Sequence, residues 1–134
     1  MKVVVDARLF ITHFLAENEE LRKKTKKILT DLQRPDNVGY VPTIVIHEIY
    51  KFEYENVGKD VANMRINSIL KSALPITNLN SSIAITAAKL RCKYREIPTA
   101  DSIVAATSME TKSDYVLTDD PHLSQIEEIK TKWI

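Results

Sequence analysis

Apolar and polar positions change period several times along the chain. KVVVD (2–6) is an unbroken β-branched run that stops at an acid, the pattern of a strand buried on both faces. ARLFITHFL follows with Leu9, Phe10, His13 and Phe14 at helical spacing. ENEELRKKTKKILTDLQ sets Leu21, Ile28, Leu29 and Leu32 on one stripe, with Thr25 filling its gap. Its acids come first and its lysines later, as the helix dipole favours. VGYV (38–41) predicts a short strand. Pro42 is read as the opening residue of a helix, TIVIHEIYKFEYE, where its missing N–H costs nothing. Gly58 breaks that helix and DVANMRINSILKSAL forms another. Pro75 starts an extended PITN, Asn80 or Ser81 is placed to cap SIAITAAKLRCKYRE, and Thr99 to cap the next helix. DYVLT (114–118) reads as a strand and IKTKWI as a last edge strand.

Strands alternate with helices throughout. That order predicts one α/β domain over residues 1–134, with a largely parallel sheet covered on both faces. In such sheets ligands bind beyond the carboxyl ends of the strands. Asp6 closes the first strand, and Asp119 and Asp120 close the strand that begins at Tyr115. The acids are therefore expected on one rim.

Composition narrows the classes without choosing one. Length (134 residues), hydrophobic share (44%) and charged share (28%) are those of an ordinary globular domain. The net charge of +1 gives no global field toward nucleic acid, so any such binding rests on local charge. The lone Cys92 excludes an internal disulfide and a cysteine zinc site. It is read as a structural thiol on a helix, in a chain suited to the reducing cytoplasm. VVV is too short for a leader, and no stretch reaches the ~18 uncharged apolar residues of a membrane span.

Taken singly, each acid has an ordinary explanation. Asp6 would be the cap of the helix after it. Glu48, four residues from Ile44 and Phe52, would be a half-exposed partner of Lys51. Asp101 would serve the dipole of the helix after Thr99, and Asp119–Asp120 would begin a turn before Pro121. Taken together they are not independent. Carboxylates gathered at a rim repel one another, and no basic cluster stands beside these positions in sequence. A hard divalent cation, Mg²⁺ or Mn²⁺, would neutralise them, and carboxylate-held Mg²⁺ commonly serves phosphate chemistry.

At this point the chain resembles the PIN domain family, in particular the small VapC-type ribonuclease toxins. The likeness spans essentially the whole chain. It rests on VVVDAR around Asp6, VPTIVIHEIYK around Glu48, IPTADSIVAATS around Asp101 and YVLTDDPHL around Asp119–Asp120. The resemblance implies a three-layer α/β/α sandwich with a mainly parallel five-stranded sheet, and Mg²⁺- or Mn²⁺-dependent cleavage of single-stranded RNA. It implies that Asp6 and Asp101 hold the metal directly and that Glu48 holds a water. The Thr/Ser-x-Asp pattern matches Thr118-Asp119-Asp120 and makes Asp120 the fourth acid and a further metal ligand, with Asp119 as its alternative. Where the family often has a small polar residue, this chain has Arg8, which would reach a substrate phosphate or pair with a site carboxylate. In-line attack of water on phosphorus would leave 5′-phosphate and 3′-hydroxyl ends. A VapB-like antitoxin and a homodimer are the implied partners, with no membrane.

Other features are set aside. Arg22, Lys23, Lys24, Lys26 and Lys27 are read as a solvated face, with RNA phosphates as the alternative. His13, His47 and His122 lack metal-ligand spacing, and Tyr50, Phe52 and Tyr54 suit core or dimer packing. Among rival enzymes, a haloacid-dehalogenase phosphatase would want Asp-x-Asp where Asp6-Ala7-Arg8 stands, and a response-regulator receiver would want another order of acids. An RNA-processing or DNA-directed PIN nuclease, or an inactive PIN-like binding module, remain the alternatives.

Overall fold

A computed structural model describes residues 1–134. Its elements run β1 (Lys2–Val5), α1 (Ala7–Leu15), α2 (Glu19–Asp31), β2 (Val38–Pro42), α3 (Thr43–Val57) and α4 (Lys59–Leu70). The second half continues with β3 (Ile76–Thr77), α5 (Ser81–Lys93), α6 (Thr99–Thr111), β4 (Tyr115–Leu117), α7 (Pro121–Ser124) and β5 (Thr131–Lys132). The five strands form one all-parallel sheet in the order β3-β2-β1-β4-β5.

β1 lies at the centre, and Val3, Val4 and Val5 are 0% exposed, which is why its sequence shows no polar alternation. From β1 the chain builds outward through β2 and β3 on one side, then returns to add β4 and β5 on the other. The gap between the carboxyl ends of β1 and β4 is thus the switch point of the sheet. Right-handed crossovers put α1–α4 over one face and α5–α7 over the other. The contacts agree: α1 packs on α2 and α3, and α3 on α4, while α6 packs on α5 and α7. α3 of the first layer also touches α6 of the second.

α6 is buried without interruption from Asp101 to Ser108. It contacts β1, β2 and β4 as well as α3, α5 and α7. Ala105, Ala106, Ser102 and Ser108 let so many neighbours approach it, so this helix has no polar face to display.

Local details depart from the sequence reading in several places. Pro42 ends β2 and occupies the N-cap of α3, one position before the one expected. Pro98, not Thr99, is the N-cap of α6, because an extended ψ of 150° suits the junction and Thr99 is already helical. Asn80 is the cap of α5, accepting from the Ile83 N–H at 2.9 Å. α4 stops at Leu70 and α5 at Lys93, each short of its apolar pattern. Cys92 is exposed, so it is not a packed structural thiol. The turn expected after Asp120 is a short helix, α7. No helix is long and apolar enough to cross a membrane.

Candidate functional site

The end of β1 delivers Asp6 beside the end of β4, where the Asp6 N–H donates to the Leu117 carbonyl at 3.4 Å. Asp6 stands at the N-cap of α1, yet its side chain makes no capping hydrogen bond. Its Oδ2 instead accepts from the Thr118 hydroxyl at 2.7 Å. The same Thr118 oxygen accepts the Asp120 N–H at 3.0 Å. A single buried hydroxyl therefore ties the two strand ends together and orients Asp6 across the switch point. Burial raises the Asp6 carboxyl above its ordinary value, against the Thr118 hydrogen bond.

The doubled aspartate divides its work. Asp119 is engaged by Arg8, whose Nε and Nη2 donate to its two oxygens at 2.6 and 3.2 Å. That fork holds the Asp119 carboxyl below its usual range. Of the two fates expected for Arg8, pairing with a carboxylate at the rim is the one observed. Asp120 is left to face Asp101, and it also caps α7 by accepting the His122 N–H at 2.8 Å. Its ordinary explanation as a cap is true and does not exhaust it.

Asp101 enters from the first turn of α6 and is 7% exposed. Burial, then Asp120 and Asp6, lift its pKa to about 6, with His122 opposing. Glu48 enters from α3. Lys51, its expected partner, pairs instead with Glu55 at 2.9 Å. Glu48 Oε1 is buried with no hydrogen-bond partner, and burial followed by repulsion from Asp6, Asp101 and Asp120 lifts the carboxyl to about 7. Asp6, Glu48, Asp101 and Asp120 thus form one electrostatic unit assembled from four separate segments.

Cations at this unit are few. Arg8 lies near enough to stabilise Asp6, but its fork is already spent on Asp119. The other basic group is His122, a residue set aside on spacing. Its Nδ1 lies 3.1 Å from Asp120 Oδ1 and 3.6 Å from Asp101 Oδ2. Donor atoms of Asp101, Asp120 and His122 lie within 4.8 Å of one another, near enough for one ion. An unpartnered buried carboxylate oxygen beside three other acids fits a divalent cation better than any group present. The other histidines are elsewhere: His13 shares a 2.7 Å hydrogen bond with Thr25, and His47 is exposed. The basic residues of α2 are exposed, and Arg22 and Lys27 are paired with Glu19 and Asp31.

Fold and site together define an acid-centred, all-parallel α/β domain. A family model described as PIN domain matches residues 3–129, and the chain belongs to the PIN domain family. Its fold is shared with solved VapC toxins. VapBC2 from Rickettsia felis, solved bound to a DNA fragment from its promoter, superposes with a TM-score of 0.79 at 12% identity, covering 100% of this chain and 99% of that one. VapC20 of Mycobacterium tuberculosis, described as a sarcin-ricin loop cleaving toxin, gives 0.72 at 17% identity over 96% and 98%. FitAcB from Neisseria gonorrhoeae gives 0.69 at 20% over 96% and 95%. No curated protein matches the chain by sequence.

Proposed function

We propose that this protein is a divalent-metal-dependent endoribonuclease, the toxin of a VapBC-type pair. The observation that carries the reading is the unpartnered buried oxygen of Glu48, facing Asp6, Asp101 and Asp120 at the switch point. Its fold neighbours include VapBC complexes and a toxin described by the RNA loop it cleaves, which favours RNA over DNA as substrate.

Asp6, Asp101 and Asp120 would hold the cation, Mg²⁺ or Mn²⁺. When bound, it supplies Lewis acidity toward a phosphoryl oxygen. Glu48, with a pKa near neutrality, is suited to accept the proton of the attacking water. Thr118 keeps Asp6 and the Asp120 backbone in register, so the acids do not separate under their mutual repulsion. Arg8, at the rim, neutralises Asp119 and offers its remaining donors to a flanking phosphate. The water oxygen bonds to phosphorus as the bond to the 3′ oxygen breaks, and that oxygen takes up a proton. The products are 5′-phosphate and 3′-hydroxyl ends.

A cytoplasmic setting, an antitoxin and a second copy of the chain belong to the same reading. Tyr54, Val57 and Met64 of α3 and α4 stand exposed (51%, 38% and 63%), apolar side chains suited to such contacts.

The test is cleavage of a fluorescent single-stranded RNA with Mg²⁺ or Mn²⁺, with EDTA, and with Asp101→Asn. Cleavage that needs metal and is lost in the variant is the expected result. Equal cleavage by the variant would remove Asp101 from the site. RNA binding without cleavage under any metal would favour the binding-module alternative.

A further inference from the structure

We propose that His122 is itself a ligand of the cation, so that this centre adds an imidazole nitrogen to its oxygen donors and prefers Mn²⁺ to Mg²⁺. This rests on the metal-nuclease reading above and refines it.

The placement of the ring supports this assignment. α7 begins directly after Asp120, and the Asp120 carboxylate clamps the His122 backbone N–H at 2.8 Å. That clamp fixes the His122 backbone against the acid cluster before the side chain makes any contact. The ring then turns Nδ1 toward Asp120 Oδ1 (3.1 Å) and Asp101 Oδ2 (3.6 Å), one oxygen from each acid. A donor atom from each of the three residues lies inside 4.8 Å, close enough for the nitrogen to share one ion with the two carboxylates.

Donor chemistry favours the same assignment. Mg²⁺ is a hard ion that favours oxygen and keeps its waters, whereas imidazole suits the first-row transition ions. Replacing one of several oxygen donors by nitrogen shifts selectivity toward Mn²⁺ without excluding Mg²⁺. The side chain is 45% exposed, which leaves the ring room to turn onto an ion in exchange for its 3.1 Å contact with Asp120 Oδ1.

A different role for the same ring makes an opposite prediction. If His122 acted only as a positive counter-charge to Asp101 and Asp120, removing it would leave the carboxylates freer and tighten binding of both ions. If it is a ligand, removing it weakens Mn²⁺ and leaves Mg²⁺ nearly unchanged. The experiment is therefore Mn²⁺ binding followed by electron paramagnetic resonance, with Mg²⁺ measured by competition, in wild type, His122→Ala and His122→Gln. The expected result is a loss of Mn²⁺ affinity of about 10-fold in both variants with a far smaller change for Mg²⁺. Bound Mn²⁺ in the wild type should also show nitrogen hyperfine coupling, a measurement that needs no variant to fold. Absent nitrogen coupling, or unchanged or tighter Mn²⁺ binding in the variants, overturns the proposal. Because none of these readouts uses RNA, nitrogen-coupled Mn²⁺ in a protein that cleaves nothing would sink the nuclease reading and leave this one standing.

Discussion

Glu48 holds a carboxyl whose pKa is lifted from 4.5 to about 7 by burial and by three neighbouring acids. A group raised in the folded state lends stability that is complete below its unfolded value and is lost as pH climbs through the folded one. Metal-free protein should therefore weaken between about pH 4.5 and 7. Glu48→Gln removes that dependence and should be more stable than wild type at pH 8 by about 1 kcal/mol, the full shift being discounted for solvent screening. Denaturant titrations in EDTA at pH 5 and pH 8 measure it; an equal pH slope in both proteins would mean that Glu48 is not desolvated as described. Thr118 acts at the same scale through one oxygen. Thr118→Val leaves Asp6 and the Asp120 N–H without their shared partner and should cost about 1–2 kcal/mol. RNA cleavage should fall with it, and a variant as stable and as active as wild type would show the bridge to be incidental.

Between elements, close approach and buried charge set the tolerances. Gly39 pairs with Val3 in the sheet, and a Cβ there would meet Leu74 Cδ2 at 2.8 Å and Leu32 Cβ at 3.1 Å. Gly39→Ala should destabilise by about 1–3 kcal/mol, since Leu32 is held at its stem; a neutral thermal shift would mean that the end of α2 gives way easily. α3 and α4 are joined by Arg65 and Glu53 at 2.6 Å, with Glu53 1% exposed and its other oxygen unpartnered. Arg65 also lies 4.9 Å over the Phe14 ring, so one side chain links both helices to α1. Arg65→Ala leaves a buried carboxyl alone and should cost about 3 kcal/mol, whereas adding Glu53→Gln should return much of it. Equal loss in the single and double variants would assign the effect to packing.

For the whole molecule, cation binding and folding are linked. An ion that binds only the folded acid cluster stabilises by mass action, about 2.7 kcal/mol at a hundred times its dissociation constant. Thermal unfolding with Mn²⁺ or Mg²⁺ against EDTA should show that rise, larger at pH 8 than at pH 6 because Glu48 and Asp101 titrate near 7 and 6. No rise at pH 8 would argue against a cation at this site.

Much of this architecture is written in local pattern. The valines of β1, the stripe of α2 and the alternation of strand with helix predict a parallel sheet, because period and order are properties of neighbouring residues. The same logic put Asp6 and Asp119–Asp120 on one rim, since parallel strands end on the same side. What the chain could not display is partnership across distance. Lys51 and Glu48 are three residues apart, yet Lys51 turns to Glu55 and Glu48 keeps a buried oxygen without a hydrogen-bond partner; helical spacing permits either pairing, and only the packing of α3 on α6 decides it. Asp119 and Asp120 are equivalent by sequence, and the reach of Arg8 separates them. His122 stands two residues after Asp120, a spacing that does not by itself mark a metal site, and its second carboxylate neighbour, Asp101, arrives from another helix. The order of elements and the kinds of side chain at the rim were determined by sequence alone. Which carboxylates are neutralised, which are left unpaired and which nitrogen joins them was decided by the tertiary structure, because desolvation and charge pairing depend on distance through space.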